Sequence, residues 1–205
     1  AIPGIQRAAD AVAKYIREGR IAYGITTGFG AFKDRLIPPA DVEKLQENII
    51  LSHAVGTGPE LPAEVVRAMM IIRANTLAKG HSGIRLTTLQ LMLALLNRNI
   101  LPIIPSRGSL GASGDLAPLA HMALPLIGQG LVRFHGEVRP SAEVLAEFGM
   151  KPVKLGAKEG LALTNGTTLM TAIGALQVFD SQIIVRSANC AAALSLEAQN
   201  GTLRA

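Results

Sequence analysis

Apolar positions along most of the chain recur every three to four residues and stop at glycine or proline, the pattern of successive amphipathic helices. Over residues 4–18 they fall at Ile5, Ala8, Ala9, Val12, Tyr15 and Ile16, with Gly19 as the stop. Pro38-Pro39 breaks the chain, and Asp41 stands where an N-cap belongs, before a helix carrying Leu45, Ile49 and His53. Pro62 opens a third segment with Val65, Val66, Met69, Met70, Ile72, Arg73 and Leu77 on pattern, and Gly80 ends it. The two methionines are expected in the core. A very apolar helix is predicted over 86–98, before Pro102 and Pro105, and another over 116–126. The period changes at 131–139, where alternation about Gly136 predicts a small hairpin with His135 facing solvent. Ser141 stands as cap of a helix reaching Phe148, and Gly149 closes it; 151–158 reads as an irregular link. From 166 the helical spacing resumes at Leu169, Ile173, Leu176, Ile183 and Ile184. The prediction is a mainly α chain with one small β-hairpin, organised as residues 1–165 and the first part of a long-helix bundle, 166–205.

Composition supports helices. Hydrophobic residues make up 49% of the 205, ample for a core, whereas aromatics are 3% and Trp is absent, so aliphatic side chains do the packing. A net charge of +5 admits an anionic partner. The basic residues are dispersed, however, without a block of five like charges or interleaved aromatics, which argues against nucleic acid. Cys190 is the sole cysteine, in the apolar run 188–193, so no disulfide framework is possible and a buried thiol in a reducing cytoplasm is expected. No apolar span of eighteen residues is read, and the first helix is too polar for a signal peptide, so no membrane association is expected. His53, His81, His121 and His135 share no ligand spacing, and no metal is expected. The ends, Ala1 and Leu203-Arg204-Ala205, read as cut.

Four segments carry candidate chemistry. In 108–120, Gly-Ser-Leu-Gly-Ala-Ser-Gly-Asp-Leu-Ala-Pro-Leu-Ala, one reading is a flexible loop opening a helix, with Ser113 or Asp115 as N-cap and Pro118 in the first turn. The other reading uses Gly114, whose missing Cβ lets its nitrogen approach the Ala112 carbonyl. Ring closure with loss of two waters, one carrying the Ser113 hydroxyl, would leave an electrophilic methylidene-imidazolone and use up Ser113. Residues 21–30, Ile-Ala-Tyr-Gly-Ile-Thr-Thr-Gly-Phe-Gly, form a glycine loop matching neither phosphate-loop pattern, with Tyr23 as an anchor. Ser52-His53-Ala54-Val55-Gly56-Thr57-Gly58 ends a helix, where a histidine commonly bonds free carbonyls. Glu159-Gly160-Leu161-Ala162-Leu163-Thr164-Asn165-Gly166 precedes the long helix, with Asn165 read as its N-cap.

Together these segments, with Ser82-Gly83-Ile84-Arg85, resemble the aromatic amino acid ammonia-lyases and aminomutases, the methylidene-imidazolone enzymes. The resemblance implies that residues 1–165 form the active-site domain and that Ala112, Ser113 and Gly114 supply the prosthetic ring. It further implies that Tyr23 is the base, that Asn165 contacts the ring or substrate, and that His53 reads the side chain. The Ser-His pair is similar to the histidine-specific branch, which implies elimination of ammonia from L-histidine to give urocanate. The helix from 116 would turn its positive end to the ring. A phenylalanine or tyrosine lyase, an aminomutase, and a non-catalytic helical fragment binding its missing half are the alternatives. Family members are cytoplasmic homotetramers more than twice this length, whose sites are completed by later segments and neighbouring subunits. The chain is therefore expected to be an incomplete piece, with its loop left uncyclised for want of packed helices.

Overall fold

The computed structural model describes residues 1–30, 33–38, 41–109, 114–202 and 204. Its helices are α1 (Ile2–Arg17), α2 (Val42–His53), α3 (Ala63–Ala78), α4 (Leu86–Asn97), α5 (Leu116–Ala123), α6 (Ser141–Glu147), α7 (Glu159–Thr164) and α8 (Thr168–Ala198). Five short strands join them: β1 (Thr57–Glu60), β2 (Leu101–Pro102), β3 (Pro105–Arg107), β4 (Leu131–Phe134) and β5 (Glu137–Pro140). The chain is mainly α, as its periodicity predicts. The expected hairpin is β4–β5, pairing Leu131 with Pro140 and Phe134 with Glu137, and exposed His135 turns it at φ 50°.

The strands go beyond that one hairpin. β2 adds to β4 to make a three-stranded sheet, and β1 pairs antiparallel with β3, setting Thr57 opposite Arg107. Pro102 and Pro105 therefore sit in strands rather than in a plain connection. Their placement at the ends of two- and three-residue strands is where a missing N–H costs least.

The core lies where α3 and α4 pack together with α1, α5 and the sheet. Met69, Met70, Met92, Leu95, Ile100, Ile104 and Leu119 are all fully buried there, the first two as expected. α2 and α7 lie close enough that a Cβ on Gly160 would stand 2.5 Å from the Gln46 carbonyl oxygen. The Gly160 N–H donates to Gln46 Oε1 at 2.9 Å, which satisfies the oxygen of the buried glutamine.

Several local expectations are corrected. Asp41 occupies the N-cap position of α2 without making a side-chain cap bond. Ser141 is the first residue of α6, not its cap, because its hydroxyl turns inward and donates to the Gln129 carbonyl at 2.7 Å. The link 151–158 is irregular as expected, but the segment that follows it, before Asn165, is a short helix, α7. α8 buries only Thr168, Leu169 and Ala172 of its 31 residues. Phe179 (61%), Ile184 (66%) and Leu194 (71%) are exposed on it. Cys190 is likewise exposed, not buried, because it lies well beyond the elements that cover the helix's first turn. By length and composition α8 is also apolar enough to cross a membrane, correcting the expectation that no such span exists.

Candidate active site

Leu110, Gly111, Ala112 and Ser113 lie outside the described residues, so the proposed ring is approached through its carboxyl side. Gly114 has φ +83° and forms a parallel bridge with Gly166, completed by the Asp115 N–H donating to the Gly166 carbonyl at 3.1 Å. A Cβ at Gly114 would stand 2.9 Å from Thr167 Cγ2, so both dihedral and space demand glycine. That is the residue a cyclising Ala-Ser-Gly needs at its third position, and the flank fits the ring.

Asp115 holds the joint. It is fully buried at the N-cap position of α5, yet its side chain makes no bond to its own helix. Its carboxylate instead accepts the Met170 N–H at 3.0 Å and the Ser109 hydroxyl at 2.8 Å. It thereby caps α8, whose first N–H groups have no partner within the helix. The Asp115→Ala variant is expected to lose about 1 kcal/mol, since α8 loses the cap on its Met170 N–H. Urea unfolding checks this, and an unchanged midpoint would refute the capping role.

Asn165 ends α7 in extended conformation instead of capping α8; its side chain is exposed beside the Gly114–Gly166 bridge in sequence. Tyr23 is 57% exposed, with its ring edge-on to Phe29 at 6.3 Å and its hydroxyl accepting the Gly30 N–H at 3.3 Å. The glycine loop is closed by a bridge between Thr27 and Leu36, and Gly24 packs on Leu161 of α7. The Tyr23 loop and the Asn165 segment thus share one support.

His53 is half-buried at the last turn of α2. Its Nδ1 lies 2.8 Å from the Ile49 carbonyl and 3.1 Å from the Ser52 hydroxyl; a proton on Nδ1 directed at the carbonyl leaves Nε2 as the acceptor in that tautomer. His53 lines a groove of about 490 Å³ with Ser52, Asn48, Arg35 and the loop residues Gly28 and Phe29. Tyr23, Gly114 and Asn165 are not in that lining. The site residues are therefore joined through their supports, not gathered in one cavity. No group of His, Cys, Asp and Glu suited to a metal occurs among the described residues.

Two supports were not assigned from sequence. His121 of α5 accepts the Gly56 N–H on Nε2 at 3.0 Å, tying the helix after the Ala-Ser-Gly segment to the segment after His53. Burial pushes its pKa below the ordinary 6.5. With the folded value depressed, the stabilisation is complete above about pH 6.5 and is lost as pH falls through the folded value. Unfolding midpoints should accordingly fall on acidification below that pH, and the slope should flatten in His121→Gln; an identical slope would sink the assignment. Arg73 of α3 is only 4% exposed and donates Nη2 to the Ala162 carbonyl, while its Nε is buried without a partner among the described residues. The signal in the sequence was a charge on an apolar helical stripe.

Comparison with known proteins identifies the family. A family model described as aromatic amino acid lyase matches residues 1–205. The histidine ammonia-lyase of Chloroflexus aurantiacus is 58% identical over 198 residues, 97% of this chain and 38% of that protein. That of Deinococcus radiodurans is 52% identical over 200 residues, 98% of this chain and 38% of its own. The chain thus spans 38% of the length of these curated relatives. Among solved structures, Trypanosoma cruzi histidine ammonia-lyase aligns with a TM-score of 0.89 and 41% identity, covering 98% of this chain and 38% of that one. The ergothioneine-degrading ergothionase of Treponema denticola aligns at 0.93 with 32% identity, covering 99% and 41%. The chain belongs to the aromatic amino acid lyase family.

Proposed function

We propose that the whole protein containing these residues is a cytoplasmic ammonia-lyase that converts L-histidine to urocanate and ammonia. The Gly114–Gly166 bridge carries the reading, because it sets the Asn165 segment against the end of the Ala-Ser-Gly loop. A methylidene-imidazolone held by Ala112, Ser113 and Gly114 would supply an electrophile that makes the substrate nitrogen a better leaving group. Tyr23 takes the β-proton on its phenol oxygen, which the loop holds at the surface. Asn165 orients the reacting groups with its exposed amide. His53 presents its Nε2 lone pair to the imidazole N–H of the substrate, a donor that a phenylalanine ring lacks.

Residues 1–165 then serve as the active-site portion, and α8 begins a bundle completed by the rest of the protein and by further copies in a homotetramer. The exposed apolar side chains of α8 support this, since an unpartnered face of that kind marks an interface.

Product analysis with L-histidine tests the reading: urocanate is expected, and a β-amino acid would replace the lyase by an aminomutase. Intact mass tests the ring separately. Loss of two waters, abolished by Ser113→Ala, is expected for the whole protein, and a full-length mass in an active enzyme would overturn the ring assignment.

A further inference from the structure

Arg73 combines three features that do not occur together by default. It is a charged side chain at 4% exposure, its Nε has no acceptor, and no ion pair joins it to a carboxylate among the described residues. Burying an unpaired cation is costly, and a methionine of similar length would fill the space more cheaply. Desolvation is felt directly: the guanidinium pKa is pushed down to about 10.

What the guanidinium touches explains its presence. α7 is six residues long, and its closing bond runs from the Asn165 N–H to the Leu161 carbonyl. The next carbonyl, Ala162, would be met by the Gly166 N–H in a continued helix. Gly166 leaves the helix at φ +145°, so Ala162 becomes a terminal carbonyl in need of a donor. Arg73 Nη2 supplies that donor, and a cation at a helix C-terminus is also electrostatically favoured. Nη1 underlies Gly166 so closely that a Cβ there would stand 2.8 Å from it. On the other side of Gly166 is Asp115, whose N–H the Gly166 carbonyl accepts.

We propose that Arg73 is a positioning residue for the reaction: through the Ala162 carbonyl and the underside of Gly166 it sets the elbow between α7 and α8, and thereby aligns Asn165 and the Gly114 end of the Ala-Ser-Gly loop. Its chemical meaning rests on the lyase reading, but its structural effect does not. A flat fork with two separate nitrogen tips caps the carbonyl and floors the glycine at once. A lysine caps with one point charge, and methionine does neither.

Amide hydrogen exchange on the 205-residue chain reads this without turnover. In Arg73→Met the Asp115 and Met170 amides are expected to exchange at least about tenfold faster, while the core amides of Met92 and Leu95 hold their protection. Arg73→Lys should recover part of the lost protection. Asp115 exchange unchanged in Arg73→Met would overturn the proposal. So would a loss shared equally by Met92 and Leu95, which marks a general structural role, and so would Arg73→Lys behaving as Arg73→Met. In the whole protein kcat should fall with KM unchanged. If histidine is not the substrate, the exchange result still stands or falls by itself, so the two readings fail separately.

Discussion

Glu159→Ala is expected to destabilise the chain by about 3 kcal/mol, because a single buried carboxylate serves four donor groups from two segments. Oε1 accepts the Arg85 N–H at 3.0 Å and the Thr88 hydroxyl at 2.7 Å. Oε2 accepts Arg85 Nε and the Gly156 N–H, each at 2.7 Å. Glu159 is 1% exposed, so water does not replace it for Thr88, which is fully buried. Arg85 differs: its side chain is 46% exposed, and the freed guanidinium rehydrates. Arg85→Met should therefore cost about 1 kcal/mol, since three donors still satisfy the carboxylate. Urea midpoints at constant slope separate the two, and a larger loss for Arg85→Met than for Glu159→Ala would reverse the argument.

The same cluster shows what was legible in the sequence. Ser-Gly-Ile-Arg at 82–85 and Glu-Gly-Leu-Ala-Leu at 159–163 stood out as segments, but nothing local says that Arg85 meets Glu159 across 74 residues. α1, α3 and α4 were readable because each repeats its apolar period over at least three turns between glycine and proline stops. β1 and β3 were not: Thr-Gly-Pro-Glu and Pro-Ser-Arg are too short to alternate, and each exists only through the other. Cap residues failed for a related reason. Asp115 and Ser141 have the right type and place, yet their partners, Met170 and Gln129, lie in other elements and outcompete the local bond. Cys190 was misplaced because apolar neighbours were taken to mean burial, whereas on α8 they form an exposed face. Within the candidate site, Gly114 stood out by its residue type in Ala-Ser-Gly, whereas Asn165 stood out only through the family resemblance. Their proximity depends on the Gly114–Gly166 bridge, a contact of high sequence separation that no window along the chain contains.

In the whole protein, Tyr23→Phe is expected to lower kcat for histidine by about 10³-fold, the usual worth of a positioned general base. The variant isolates chemistry unusually well. Tyr23 is 57% exposed, and its ring contact, edge-on to Phe29, survives when the oxygen alone is deleted. Among the described residues the hydroxyl accepts a 3.3 Å contact from the Gly30 N–H, and that donor lies at the surface, where water takes over. Unfolding free energy should therefore change by less than about 0.5 kcal/mol, the range of ordinary surface substitutions. KM should move little, because the ring face and the His53 groove are untouched, so the loss falls on kcat and on kcat/KM alike. Steady-state rates beside an unfolding curve decide the matter. A Tyr23→Phe enzyme keeping a tenth or more of its kcat would remove Tyr23 as the base, and a matching fall in stability would show that the oxygen holds the loop instead of taking the proton.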